Sequence, residues 1–353
     1  NPTMERVMVL LPRKIAVPIL ATALSLFVTA AQAETFRWAG STDPQTMDPH
    51  ATNSAPVLGF LNNVYEGLVR RNKEMKIEGA DGFIKFALGE NVKQSNWSGS
   101  GVRFPQTRMG VEQVFVDYFT RAKEYSTNTD PNKRKDLELE TLVEILNGDR
   151  FISCHSYVQS EINMLMKVAD KFNFRINTFT HILEGYKVAD KMKEHGVGAS
   201  TFSDWWAYKY EVNDAIPYNA AIMHRAGVTV AINSDDGEMS RRLNQEAAKI
   251  YKYGGIEEED AWKMVTLNPA KLLHMDDRAG SLKPGKDGDV VIWSDHPLSI
   301  KARAEKTIIE GKVFFDIEKD KELRATVQKE KAQLTAMMLA EKNKGLKTQP
   351  VKK

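Results

Sequence analysis

Three polar side chains in this 353-residue chain each stand just after a short apolar run. They are His155 after Phe151–Ser153, His181 after Arg175–Phe179, and Asp235 after Val228–Ile232. Two neutral imidazoles and a carboxylate are the donor types that suit Zn²⁺ or a similar divalent ion. Alone, a histidine after a strand is most often bland. Placed at successive apolar runs, with the aspartate two runs later, the set points to a metal site. Asp236 is the neighbouring alternative to Asp235. Lys85, inside the apolar run Phe83–Leu88, is a further candidate, with Lys93 in the following loop as its alternative. Trp205, Trp206 and Tyr208 follow the run at 197–202 and are candidates to line a substrate pocket. His195 and His224 fall in helix C-terminal turns before glycines, where capping roles are common. His274 and His296 fall in loops.

The elements that would position these residues alternate. Strand signals at 83–88, 151–153, 175–179, 197–202 and 228–232 are separated by helical patterns at 111–124, 137–146, 161–172, 185–194, 214–226 and 241–253. This alternation predicts βα units around a parallel sheet. In a (β/α)₈ barrel, residues following each strand open onto the C-terminal face, where active sites are built. Five strand signals are present where a closed barrel needs eight, so the expected fold is an incomplete (β/α)₈ barrel over 79–275. A turn-rich β segment covers 276–317, a charged helix starts at 318, and a lysine-rich tail closes the chain at 344–353.

The first 33 residues read as a leader. Arg13 and Lys14 precede an apolar run from Ile15 to Thr29, and Ala31-Gln32-Ala33 has the small-x-small form of a cleavage site. The run is shorter than the roughly 20 residues that span a bilayer. The expectation is export to the periplasm or medium, with cleavage after Ala33 and no stable membrane insertion afterwards. Lys plus Arg number 49 against 47 Asp plus Glu, a formal net charge of +2 that gives no reason to expect a nucleic-acid partner. The expected partner is a small-molecule substrate. The single cysteine, Cys154, excludes an intrachain disulfide.

Two resemblances add to this reading. Residues 35–78, with Asp43-Pro-Gln-Thr-Met-Asp-Pro-His50 and Asn62-Asn-Val-Tyr-Glu-Gly-Leu68, resemble the mature start of periplasmic peptide-binding proteins of ABC transporters. A solute-binding protein for peptide import is therefore the alternative function. Residues 79–316 resemble the amidohydrolase superfamily, nearest its imidazolonepropionase-like and prolidase-like branches. The matching segments are Cys154-His155-Ser156, Thr180-His181, Asn233-Ser-Asp235 and Gly280-Ser-Leu-Lys-Pro-Gly-Lys-Asp-Gly-Asp289. The resemblance implies that His155 and His181 are metal ligands on strands five and six. It makes Asp235 both ligand and proton-transfer group, and Lys85 a carboxylated lysine on strand four. It also implies hydrolysis of carbon–nitrogen bonds, including peptide-like ones, with the closing segment completing a small β-sandwich. Members of that superfamily open with a His-x-His pair, which does not occur in this sequence. The reading is thus a truncated enzyme of low or absent activity, holding at most one metal.

Overall fold

The computed structural model describes residues 70–71, 77–78, 82–95 and 103–345. The leader, most of the transporter-like segment and the end of the tail lie outside the described residues. From the transporter-like segment, β1 (Arg70–Arg71) and β2 (Ile77–Glu78) form a small antiparallel pair with Arg70 opposite Glu78.

Five short parallel strands form the central sheet: β3 (Phe83–Ala87), β4 (Phe151–His155), β5 (Thr178–Thr180), β6 (Gly198–Thr201) and β7 (Val230–Ile232). They lie side by side in chain order. Among the described residues β3 pairs only with β4, and β7 only with β6, so the sheet is an open arc. This is a mixed α/β architecture with a parallel sheet, as expected.

Register fixes which side chains share a face. Lys85 lies opposite Ser153, and Ala87 opposite His155. Ser153 lies opposite Thr178, and His155 opposite Thr180. Successive residues of a strand point to opposite faces. One face therefore carries Lys85, Ser153, His155, Thr178, Thr180 and Ser200. The other carries Ile152, Cys154, Phe179, Ala199, Val230 and Ile232, all buried in the main hydrophobic core.

The helices supply the other half of that core. Between β3 and β4 run α1 (Glu90–Lys93), α2 (Arg108–Thr127) and α3 (Leu137–Asn147). Thr107 starts α2 by accepting a hydrogen bond from the Gly110 amide, and Asp136 starts α3 by accepting from Glu138 and Leu139. Side-chain acceptors at these positions satisfy amides that have no partner within the helix. Next come α4 (Gln159–Phe172), α5 (Ala189–His195), α6 (Asn219–Arg225), α7 (Leu243–Gly254), α8 (Glu258–Lys263) and α9 (Leu267–Leu272). Val111 and Phe119 of α2, Ile162 and Leu165 of α4, Met223 of α6 and Ile250 of α7 are all within the core.

The helical pattern at 185–194 resolves into a single 3₁₀ turn at Gly185–Lys187 and the short α5. A side chain at Gly185 would collide with the Met223 sulfur, so the 3₁₀ turn packs closely against α6.

After the barrel-like part, β8 (Val290–Trp293), β9 (Ala304–Ile309) and β10 (Lys312–Asp316) form one antiparallel sheet in the order β10-β9-β8. The last described element is α10 (Ile317–Asn343), which has no buried residue. No described helix is long and apolar enough to cross a membrane.

Candidate functional site

His155 ends β4 and is 5% exposed. His181 follows β5 directly, and its ring centroid lies 4.9 Å from that of His155. Asp235 follows β7 after two intervening residues, and its Oδ2 lies 3.6 Å from His181 Nδ1. That is too long for a hydrogen bond. The strand ends therefore bring together one imidazole pair and one imidazole–carboxylate pair.

Two of these residues have unusual backbone conformations. His181 has φ 63° and Asp235 has φ 50°. Both are left-handed conformations that non-glycine residues adopt at a cost, and they persist only where surroundings over-determine them. Unmet polar atoms gather here too. His181 Nδ1, Thr180 Oγ1, Ser156 Oγ and Asn233 Nδ2 are buried with no hydrogen-bond partner among the described residues. Such groups are expensive in a protein interior, and each calls for a reason.

The electrostatics keep both imidazoles neutral. Burial, then His181, Lys85 and Lys209, pull His155 down to about 4. Burial lowers His181 as well, and Lys85 and Lys209 add to this, while Asp235 opposes them. Neutral imidazoles are the form that can ligate a metal.

An aromatic wall borders the pair. Tyr157 stands edge-on to His155 at 4.7 Å, and Phe202 edge-on to His181 at 5.3 Å. Trp205 stacks on Phe202 at 4.6 Å, and Tyr208 meets Trp205 edge-on at 5.5 Å. Tyr208 Oη lies 3.4 Å from Tyr157 Oη. Burial holds both phenols above their usual range. Lys209 Nζ sits 4.2 Å above the Tyr157 ring and 3.3 Å from Glu211. Of the three aromatics singled out in the sequence, Trp205 and Tyr208 join this wall. Trp206 is 47% exposed and takes part in none of the ring contacts among the described residues.

Tyr157 and Lys209 were not singled out from the sequence. Tyr157 had a usable signal, two residues beyond His155 with the same strand parity. Lys209 had none beyond its place next to Tyr208.

Lys85 shares the face of His155 and is exposed. Lys93, its alternative, is buried and paired with Glu90 at 2.5 Å. Asp236 is occupied as a cap, accepting from the amides of Glu238 and Met239. His195 is paired with Asp170 at 3.3 Å, His224 with Asp260 at 3.4 Å and His296 with Glu258 at 2.7 Å. His274 packs on Phe83 and Phe151 and lies 2.7 Å from Asn177.

The donors fit a divalent cation in chemical type, and the orphaned Nδ1 of His181 is the kind of group such an ion would satisfy. The gathering is incomplete. Among the described residues no group of three or more His, Cys, Asp or Glu is close enough to hold a metal ion. His155, His181 and Asp235 therefore do not make a three-donor cluster among the described residues. The Asp235 side chain is 59% exposed and reaches the group through His181, at 3.6 Å.

Residues 217–331 match the amidohydrolase family model. An amidohydrolase of Hapsidospora irregularis, tasK, is 28% identical over 254 residues, covering 66% of this chain and 26% of that protein. The crystal structure of an amidohydrolase from Thermotoga maritima MSB8 is similar with a TM-score of 0.60 and 29% identity, covering 69% of this chain and 64% of that one. These matches support the amidohydrolase superfamily. The chain spans about a quarter of the curated relative's length and under two thirds of the solved structure's. The matched stretch contains Asp235 and β8–β10, while His155 and His181 precede it. The peptide-transporter resemblance rests on residues 35–78, nearly all outside the described residues.

Proposed function

We propose that this chain carries part of a metal-dependent hydrolase site that cleaves carbon–nitrogen bonds, peptide-like ones included, in a small-molecule substrate. The observation that supports this best is the pair of neutral imidazoles at adjacent strand ends, with the Asp235 carboxylate against one of them. Zinc is commonly held by such a set of two nitrogens and an oxygen, with an open position for water. Such an ion would supply a water of lowered pKa and a polarised substrate carbonyl.

The protein's own part is positional and acid–base. His155 and His181 stay uncharged at neutral pH, so neither repels a cation. Asp235 is the exposed carboxylate of the group, able to take a proton from an attacking water and return it to the departing nitrogen. Tyr157, Phe202, Trp205 and Tyr208 give the substrate an apolar wall. Lys209, next to Tyr208, lies where it can meet a polar substituent.

The test is metal content of the full chain after zinc loading, read by mass spectrometry, for the parent and for His155→Ala and His181→Ala. At most one ion per chain is expected, lost in both variants while circular dichroism stays unchanged. Unchanged metal content in both variants would sink this reading.

A further inference from the structure

The left-handed turn at His181 has a support that lies outside the ligand set. The residue after it, Ile182, is held at both backbone groups. Its amide donates to Ser200 O at 3.1 Å. Its carbonyl accepts from Asn219 Nδ2 at 2.6 Å and from Thr201 Oγ1 at 2.9 Å. Asn219 Nδ2 also donates to Thr201 Oγ1 at 2.9 Å, and Asn219 Oδ1 accepts from the Tyr186 amide at 2.8 Å. Asn219 is 1% exposed and Thr201 is fully buried.

Three separate segments are tied by this one carboxamide: the turn after β5, the end of β6, and the 3₁₀ turn at Gly185–Lys187. A buried amide is costly unless its donors and acceptor are all used, and here they are. No other side chain of similar size fits. Aspartate lacks the two donors and would set a negative charge against the Ile182 carbonyl. Leucine would leave the Tyr186 amide unmet and remove one of the two side-chain donors to the Ile182 carbonyl. The clamp fixes the carbonyl of Ile182, and hence the direction in which the chain leaves His181.

We propose that Asn219, with Thr201, is a positioning residue that holds His181 in its left-handed conformation and aims its imidazole into the strand-end site. This rests on the reading of His181 as part of that site, so the test separates the two.

The full chain is prepared with ¹³C-labelled histidine, and the His181 ring signals are assigned by their loss in His181→Gln. Those signals are sensitive to ring position because Phe202 and His155 lie 5.3 Å and 4.9 Å away. Asn219→Asp, Asn219→Ala and Thr201→Val should each move them, leaving the His224 and His296 signals in place. Thr201→Ser, which keeps the hydroxyl, should restore the parent position. Zinc affinity should fall about 10- to 100-fold in Asn219→Asp, as for other residues that orient ligands. Should Asn219→Ala fail to fold, Thr201→Val, which keeps size and removes one donor, decides alone.

Unmoved His181 signals in variants that only melt earlier would overturn the proposal. So would moved signals with unchanged zinc affinity, in a chain that loses zinc on His181→Ala. If His181→Ala itself leaves zinc affinity unchanged, the metal reading fails, and the ring signals still decide whether Asn219 positions His181.

Discussion

The two faces of the five-stranded sheet obey different rules, though they alternate residue by residue along the same strands. The face carrying Ile152, Cys154, Phe179 and Val230 is apolar and fully buried. The face carrying His155, Thr180, Ser200 and Lys85 is polar, and it ends in two left-handed residues and several unmet polar atoms. The first face is built for stability. The second gives up stability at the strand ends, which is where binding and catalysis need unsatisfied groups. Phe179 and Thr180 sit next to each other and belong to opposite regimes.

The largest expected difference follows from that pair. Phe179→Ala removes a fully buried ring from the core, and a loss of about 3–5 kcal/mol is expected. Thr180→Val removes a buried hydroxyl that has no partner and keeps the shape, so a change within about 1 kcal/mol in either direction is expected. Urea unfolding of both variants checks this. Comparable losses at the two positions would break the distinction between the faces.

The sequence showed the apolar face far more clearly than the polar one. Phe151-Ile152-Ser153 and Val228–Ile232 are short apolar runs between helical patterns, and such runs mark buried strands without any knowledge of neighbours. The five strand signals correspond to the five strands of the sheet. Helix ends were harder to place. The pattern expected from Asp214 begins as α6 only at Asn219, because Pro217 and the 3₁₀ turn at Tyr210–Val212 occupy the approach. The site was legible only as residue types. That His155 and His181 meet depends on the β4–β5 register, and that Asp235 stays at 3.6 Å depends on a turn whose φ no local pattern announces. Lys209 and Asn219 were illegible for the same reason, since their roles come from partners about 20 to 50 residues away.

A second way to sharpen the comparison uses pH. His155 is held neutral, with a folded-state pKa near 4 against about 6.5 when unfolded. The unfolded chain therefore binds the proton first as pH falls. Stability from this group is fully present above about pH 6.5 and is lost progressively down to about pH 4, roughly 3 kcal/mol in all. Cys154, its neighbour on the apolar face, stays a neutral thiol throughout that window, since burial raises it. Metal-free protein unfolded in urea at pH 7.5 and pH 4.5 should show this loss, and His155→Gln should remove most of it. An equal pH dependence in His155→Gln would place the titrating group elsewhere.

The smallest effect concerns Asp235 and tests whether the polar face stores strain. Its φ of 50° suits glycine, and its side chain is 59% exposed, so little packing depends on it. The contact with His181 adds little to stability, because that imidazole is neutral at pH 7 and an exposed charge is well screened. Asp235→Gly should relieve the backbone conformation, offset in part by the greater freedom of glycine in the unfolded chain. A net gain of up to about 1 kcal/mol is expected, together with weaker zinc binding. Asp235→Asn keeps the shape and tolerates the left-handed region, so it should leave stability within about 0.5 kcal/mol of the parent while also weakening zinc. Gain of stability with loss of metal in the glycine variant is the signature of a residue retained for function at a cost to the fold. A clear loss of stability in Asp235→Gly would mean that this carboxylate holds the β7 turn together, and the polar face would then be scaffold at that point.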